Sequence, residues 1–312
     1  MKNLISQKVS VIMNVHNGEE FISEAIESVI NQTYNHWELI VWDNSSTDNT
    51  HTIVKSFKDE RIIYFKSDIF DKLYTARNKA IDVSNGDLIT FLDADDIWLP
   101  NKLEVQSNIM KDSEIDFCYS NFFQINKNSR KTFPPKAYYS NLPCGKIYKN
   151  LLKNYTVGIL TLCLRKKSLI KFGISFDPRY SIIGDMVFVL KLSEIGNCYA
   201  SQNCLACYRT HQGNLSKKKV LMQVNEMRLW FYELRKFGKW NQSIYKSLEN
   251  LTNYQRARGL IAKISLFQTV RLIFKIKDIN LIFRFLIHYF IYKFLKINMF
   301  LKKLKYKKVG NL

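Results

Sequence analysis

The feature that most constrains the fold is the way two periodicities alternate over the first hundred residues. Residues 9–15 form an apolar, β-branched run, and after Gly18 the residues Phe21, Ile22, Ala25, Ile26, Val29 and Ile30 recur at helical spacing. Residues 37–42 are a second strand-like run. A period of two giving way to 3.6 and back predicts a β-α-β unit. The pattern goes on through a helix at 49–57, a strand at 62–65, a helix at 71–83 and a strand at 87–92. Strands separated by helices pair in parallel with helices on the sheet faces, so the fold class is α/β with a mostly parallel central sheet.

The second half is less regular. A helix is predicted from Pro100 to residue 111 and a strand at 115–123, and the polar stretch 126–145, with Pro134, Pro135 and Pro143, is expected to be a surface loop or lid. Strand patterns at 158–164 and 198–208 bracket a helix at 185–195, and beyond His211 the pattern is helical. No internal repeat or low-complexity tract interrupts the chain.

Open parallel sheets bind ligands outside the carboxyl ends of their strands, so acidic residues there are candidates for chemistry. Asp43 follows one such strand, and Asp93, Asp95 and Asp96 follow another. Two elements thus deliver carboxylates to one edge. Carboxylate oxygens at this place suit Mg²⁺ or Mn²⁺, which neutralise a diphosphate as a sugar-phosphate bond breaks. Asp95 or Asp96 equally suits a cap for the helix near Leu99 and Pro100. Neither a Gly-x-Gly-x-x-Gly nor a Gly-x-x-x-x-Gly-Lys-Ser/Thr pattern occurs, so phosphates fall to metal and basic side chains. Arg77, in Thr75-Ala76-Arg77-Asn78, is placed to meet them; a solvated charge or an ion pair is the alternative.

In order and spacing these residues resemble the family 2 glycosyltransferases of the GT-A fold, over residues 9–216. The resemblance is carried by Val9-Ser10-Val11-Ile12-Met13-Asn14-Val15-His16-Asn17, by the helix 24–34, by the second strand and its turn through Thr50, by Phe91-Leu92-Asp93-Ala94-Asp95-Asp96, and by Ile97-Trp98-Leu99-Pro100-Asn101-Lys102-Leu103. It implies an inverting transferase that takes a sugar from a UDP-sugar. Asn14, His16, Asn17, Asp43, Asn44, Arg77, Asp93 and Ala94 would line the nucleotide-sugar site, with Asp43 on the uracil, Arg77 near the diphosphate and Asp93 on the ribose. Asp95 would hold Mn²⁺ or Mg²⁺, and His211, in the closing segment 208–216, would approach the metal or the diphosphate; an ordinary loop histidine is the alternative. Asp185 matches the general base, and a base there suits a displacement in which the acceptor hydroxyl loses its proton; it also suits the N-cap of the following helix. Four positions depart from the family pattern: Asn14 and His16 stand for Pro and Tyr, Asn44 for a second Asp, and Gly184 for the Glu that usually precedes the base.

The formal net charge of +20 calls for an anionic partner. Residues 263–308 hold twelve Lys and Arg against one acid, Asp278. The expected organisation is a catalytic domain at 1–216 and a helical, basic, amphipathic region at 217–312. Arg284, His288, Lys293 and Lys296 interrupt the apolar run 281–301, so this region is expected to lie on an anionic membrane surface instead of crossing it; a packed subdomain or homo-oligomer interface is the alternative. No signal stretch opens the chain and the six cysteines form no paired framework, which points to the cytoplasmic side and reduced thiols. The resemblance adds a glycan or lipid-linked acceptor of bacterial surface polysaccharide synthesis. Two rivals are a sugar-nucleotide-binding scaffold without catalysis and a nucleic-acid binder acting through the basic region; the helical spacing of the aromatics there ranks the latter last.

Overall fold

The computed structural model describes residues 6–129, 141–214 and 219–236. The chain divides into two compact units, Met1–Asn214 and Leu215–Leu312. The first is built on an eight-stranded sheet in the order β3-β2-β1-β4-β7-β6-β8-β5. Its strands are β1 (Val9–Val15), β2 (Trp37–Asn44), β3 (Ile62–Ser67), β4 (Leu88–Phe91), β5 (Ile97–Trp98), β6 (Phe117–Asn126), β7 (Cys163–Arg165) and β8 (Cys198–Thr210). Its helices are α1 (Ile22–Ile30), α2 (Thr50–Ser56), α3 (Leu73–Asp82), α4 (Lys102–Ile109), α5 (Tyr148–Lys153), α6 (Lys166–Phe172) and α7 (Gly184–Ile195). In the second unit the described helix is α8 (Val220–Lys236).

The β3-β2-β1-β4 half is parallel throughout. In the other half β6 and β8 pair in parallel while β7 and β5 run antiparallel to their neighbours. The chain steps from β1 outward to β3, then returns through α3 to lay β4 on the other side of β1. That reversal puts α1 and α3 on opposite faces and opens a crevice beyond the ends of β1 and β4. All seven residues of β1 are buried. Val9, Val11, Met13 and Val15 join Ile22, Ala25, Ile26 and Val29 of α1 in the main apolar cluster, and by the two-residue alternation Ser10, Ile12 and Asn14 face the side of α3.

Where residues 158–164 read as one strand, the chain forms a 3-10 turn, Ile159–Thr161, and only then β7. Side chains account for the difference. The carbonyls of Leu160, Thr161 and Leu162 accept from Trp98 Nε1, Gln106 Nε2 and Thr90 Oγ1 at 2.9, 2.6 and 2.7 Å, which occupies groups a ladder would use. The short elements β5, α5 and α6 carry too few residues to show a period. Helix α4 starts at Lys102 after Asn101, with no side-chain cap, so neither Asp95 nor Asp96 caps it. Cys118, Cys163 and Cys198 are buried free thiols and Cys144 is an exposed one, while Cys207 is also buried. No helix among the described residues is long and apolar enough to cross a membrane. The basic stretch 263–308 and most of the proposed lid lie outside the described residues.

Candidate donor and acid-base site

Asn14, Asp43, Asp93, Asp95 and His211 sit at or just beyond strand ends, while Arg77 comes from α3 and Asp185 from the start of α7. At the end of β1, His16 Nδ1 donates to Asn44 O at 2.9 Å, and its ring meets Phe70 edge-on with centroids 4.6 Å apart. Asn17 adopts the left-handed conformation (φ 53°), its N–H donates to Ser46 Oγ, and its Oδ1 accepts from Thr47 N. It stitches the loop after β1 to the loop after β2. Both atoms of the buried Asn14 amide lack a hydrogen-bond partner among the described residues, as does Arg77 Nε.

Asp43 is fully enclosed: Oδ1 accepts from Ser46 N at 2.7 Å and Oδ2 from Tyr64 OH at 2.5 Å. Burial, followed by the Asp43 carboxylate, pushes the Tyr64 phenol up, so it stays a donor. Two of the roughly four acceptor positions of Asp43 are therefore taken. The neighbouring Asn44 works as a two-way clamp, donating through Nδ2 to Asp71 O and accepting at Oδ1 from Asp71 N. That clamp holds the loop carrying Phe70, which is 60% exposed beside His16. A carboxylate at position 44 would lack the donor half of the clamp.

From α3, Arg77 reaches the loop after β4 and donates to Asp93 Oδ1 at 2.5 Å. The guanidinium is 2% exposed and lies among the rings of Tyr74, Phe91 and Phe176. The Asp93 side chain keeps 36% of its surface open. Desolvation nevertheless raises its carboxyl, the Arg77 charge opposes this, and the charges of Asp95 and Asp185 add to the rise. Three acids thus share one field. Ala94 between them packs partly on the apolar cluster, which turns the two flanking carboxylates outward from the core.

Asp95 Oδ2 lies 2.8 Å from His211 Nε2 and 3.4 Å from Asn214 Nδ2. His211 Nδ1 accepts from Gly213 N at 3.1 Å, so in this arrangement Nε2 carries the ring proton and donates to Asp95. Among the described residues no group of three or more His, Cys, Asp or Glu side chains could hold a metal. Asp95 by itself could supply one oxygen ligand to a hard cation. His211 joins such a cation only if Nδ1 takes up the proton and gives up the Gly213 bond.

Asp185 lies in the first turn of α7, one residue beyond the start and two beyond the cap position, Ile183. Its Oδ1 accepts from Met186 N at 2.7 Å. It therefore satisfies a helix-end donor without being the cap residue. Burial raises its carboxyl, against the pull of Met186 N, Arg77 and Tyr74. The structure brings Arg77 to Asp93 and His211 to Asp95, whereas Asn17 and Asn44 spend their side chains on loop stitching. Sequence reasoning did not single out Tyr64, Phe70, Tyr74 or Arg209. Tyr74 carried one signal, its position three residues before Arg77 on the same helix face.

A family model described as Glycosyl transferase family 2 matches residues 10–173. The chain is 37% identical over 216 residues to UDP-Glc:alpha-D-GlcNAc-diphosphoundecaprenol beta-1,3-glucosyltransferase WfgD of Escherichia coli, spanning 68% of this chain and 80% of that one. It is 30% identical over 214 residues to the putative teichuronic acid biosynthesis glycosyltransferase TuaG of Bacillus subtilis, covering 68% and 82%. Among solved structures, S. aureus TarS 1-349 in complex with UDP-GlcNAc has a TM-score of 0.65 at 19% identity, covering 86% of this chain and 79% of that one. At that identity the likeness bears on the fold alone.

Proposed function

The chain belongs to glycosyl transferase family 2, and from that premise we propose that it transfers a sugar from a UDP-sugar, with inversion, to a hydroxyl of a lipid-linked glycan. The observation that carries this reading is the meeting of Arg77–Asp93, Asp95–His211 and the raised carboxyl of Asp185 at one end of the sheet. The names of the relatives support the donor and acceptor classes, since WfgD is named for UDP-Glc and a diphosphoundecaprenol-linked GlcNAc. UDP-glucose is accordingly the first donor to try.

In the proposed reaction the acceptor oxygen attacks the anomeric carbon. Its O–H bond breaks toward Asp185, and the bond from the anomeric carbon to the phosphate oxygen breaks with its electron pair going to the departing diphosphate. A carboxyl raised above its ordinary range is the stronger base once ionised. Arg77 fixes Asp93 for the ribose, and its buried charge lies behind that carboxylate. The uracil would share an Asp43 oxygen already bonded to Ser46 N or Tyr64 OH, with His16 and Phe70 beside it. Mn²⁺ or Mg²⁺, held by Asp95, would supply positive charge to the leaving diphosphate. We place the enzyme on the cytoplasmic side at an anionic membrane face, reached through the basic region 263–308; the charge pattern does not call for nucleic acid. The scaffold alternative rested on Gly184 and the altered first motif, Asn14 and His16; Asp93, Asp95 and Asp185 argue against it, and donor hydrolysis without acceptor would exclude it. The test is Asp185→Asn, which should lower turnover by ~10²–10⁴ while leaving donor binding intact, the range of a lost general base.

A further inference from the structure

We infer that Tyr74 is the positioning residue of the Asp185 carboxylate: its ring fills the volume a side chain at 184 would need, and its hydroxyl reaches both the loop entering α7 and the carboxylate itself. The inference rests on Asp185 as the base and adds the group that holds it.

Gly184 does not adopt the left-handed conformation that would demand glycine for its backbone. Space demands it instead. A Cβ at 184 would lie 2.4 Å from both Cδ2 and Cε2 of Tyr74 and 2.7 Å from Cζ. The ring has no room to yield, because Tyr74 is 2% exposed and stacks on Phe176 at 5.6 Å and 9°. Phe176 in turn stacks on Phe188 of α7 at 4.0 Å and 8°. One turn along α3, Asn78 Nδ2 donates to Phe176 O at 2.8 Å and Phe176 N donates back to Asn78 Oδ1 at 3.0 Å. Three rings and a reciprocal amide clamp thus fasten α3 to the segment that presents Asp185.

The Tyr74 hydroxyl, at the end of this stack, lies 3.0 Å from Ile182 O and 3.4 Å from Asp185 Oδ1. The same Oδ1 accepts from Met186 N, so both protein donors address one oxygen and Oδ2 has none among the described residues. A carboxylate held by one oxygen keeps the other for the acceptor's proton. The ionisable groups acting on it are Arg77 and Tyr74 from α3, with Asp93 across the crevice. Tyr74 thus occupies the space beside residue 184 and offers the base a neutral donor.

The experiment is a carboxyl-carbon NMR titration of the wild type and Tyr74→Phe, with Asp185→Asn assigning the resonance, beside pH profiles of transfer. Tyr74→Phe keeps the stacked ring and removes a donor to the ionised carboxylate. The Asp185 midpoint should therefore rise by about half a unit or more, the acid limb of the turnover profile should move by the same amount, and the donor KM should hold. An unmoved midpoint with an unmoved limb would overturn the inference, leaving the hydroxyl to Ile182 O alone. A second arm tests the packing: Gly184→Ala should lose activity or stability, and Tyr74→Ala in the same chain should restore part of it. Strictly additive losses would count against the shared volume. If the wild type turned over no nucleotide-sugar, the functional reading would fall while the titration still decided whether Tyr74 holds Asp185.

Discussion

Arg209 is fully buried, yet each of its nitrogens donates a hydrogen bond. Its backbone N–H donates to Asp96 Oδ1 at 2.8 Å and its Nε to Asp95 O at 2.7 Å. Nη1 reaches Lys127 O and Ser129 Oγ, and Nη2 reaches Glu24 Oε2. One side chain thus ties the acidic turn after β4 to the end of β6 and to α1. Burial tends to raise the Glu24 carboxyl, but the bonds from Ser129 and Arg209 outweigh it and hold the group low. Arg209→Lys cannot reproduce a planar five-donor fork, so we expect a loss on the order of a few kcal/mol of stability, measured by denaturant unfolding. An unchanged midpoint would show that the fork is dispensable. At this scale the sequence revealed the acids and the basic residue facing them, because their order along the chain is itself the signal. It did not reveal Arg209 or Tyr74, whose partners Glu24 and Asp185 lie 185 and 111 residues away. For Asn44 the residue type was legible but its use was not, since the clamp on Asp71 depends on where the next loop runs.

Among the elements, α4 carries the least expected feature, a lysine with no exposure on its inner face. Lys102 Nζ donates to Thr90 Oγ1 at 3.0 Å and Gln106 Oε1 at 2.5 Å, and lies 3.8 Å from the centre of the Trp98 ring. Burial pulls its pKa from 10.5 down to about 7. The unfolded chain then binds more protons than the folded one between those values, so this residue's penalty is full below pH 7 and fades as pH rises toward 10.5. Lys102→Met should remove that dependence and leave the fold intact or firmer, a difference on the order of a few kcal/mol at neutral pH. Urea unfolding of both proteins across this range is the check, and parallel curves would contradict it. The parallel half of the sheet was readable because β1, α1, β2, α2, β3, α3 and β4 each keep their own period. The 3-10 turn at Ile159–Thr161 was not, because the groups that capture its carbonyls come from β4, β5 and α4. Apolar composition alone does not separate such a turn from a strand.

For the whole molecule, the charge is the feature the described units explain least. The twelve basic residues of 263–308 fall in the second unit, beyond the described residues. If they dock on anionic lipid, truncation after residue 250 should release the protein from vesicles containing phosphatidylglycerol, in a sedimentation assay at moderate salt. Equal sedimentation of both forms would assign membrane contact elsewhere. The central claim is that the groups gathered at the ends of β1, β2 and β4 and the start of α7 move a sugar from a nucleotide. The most direct measurement is release of nucleoside diphosphate from a panel of UDP-, GDP- and TDP-sugars by the purified full chain, with Mn²⁺, Mg²⁺ or a chelator, beside Asp185→Asn. The expected result is metal-dependent release from a UDP-sugar that falls by ~10²–10⁴ in the variant. Absence of release from every donor, together with no donor binding by calorimetry, would contradict it.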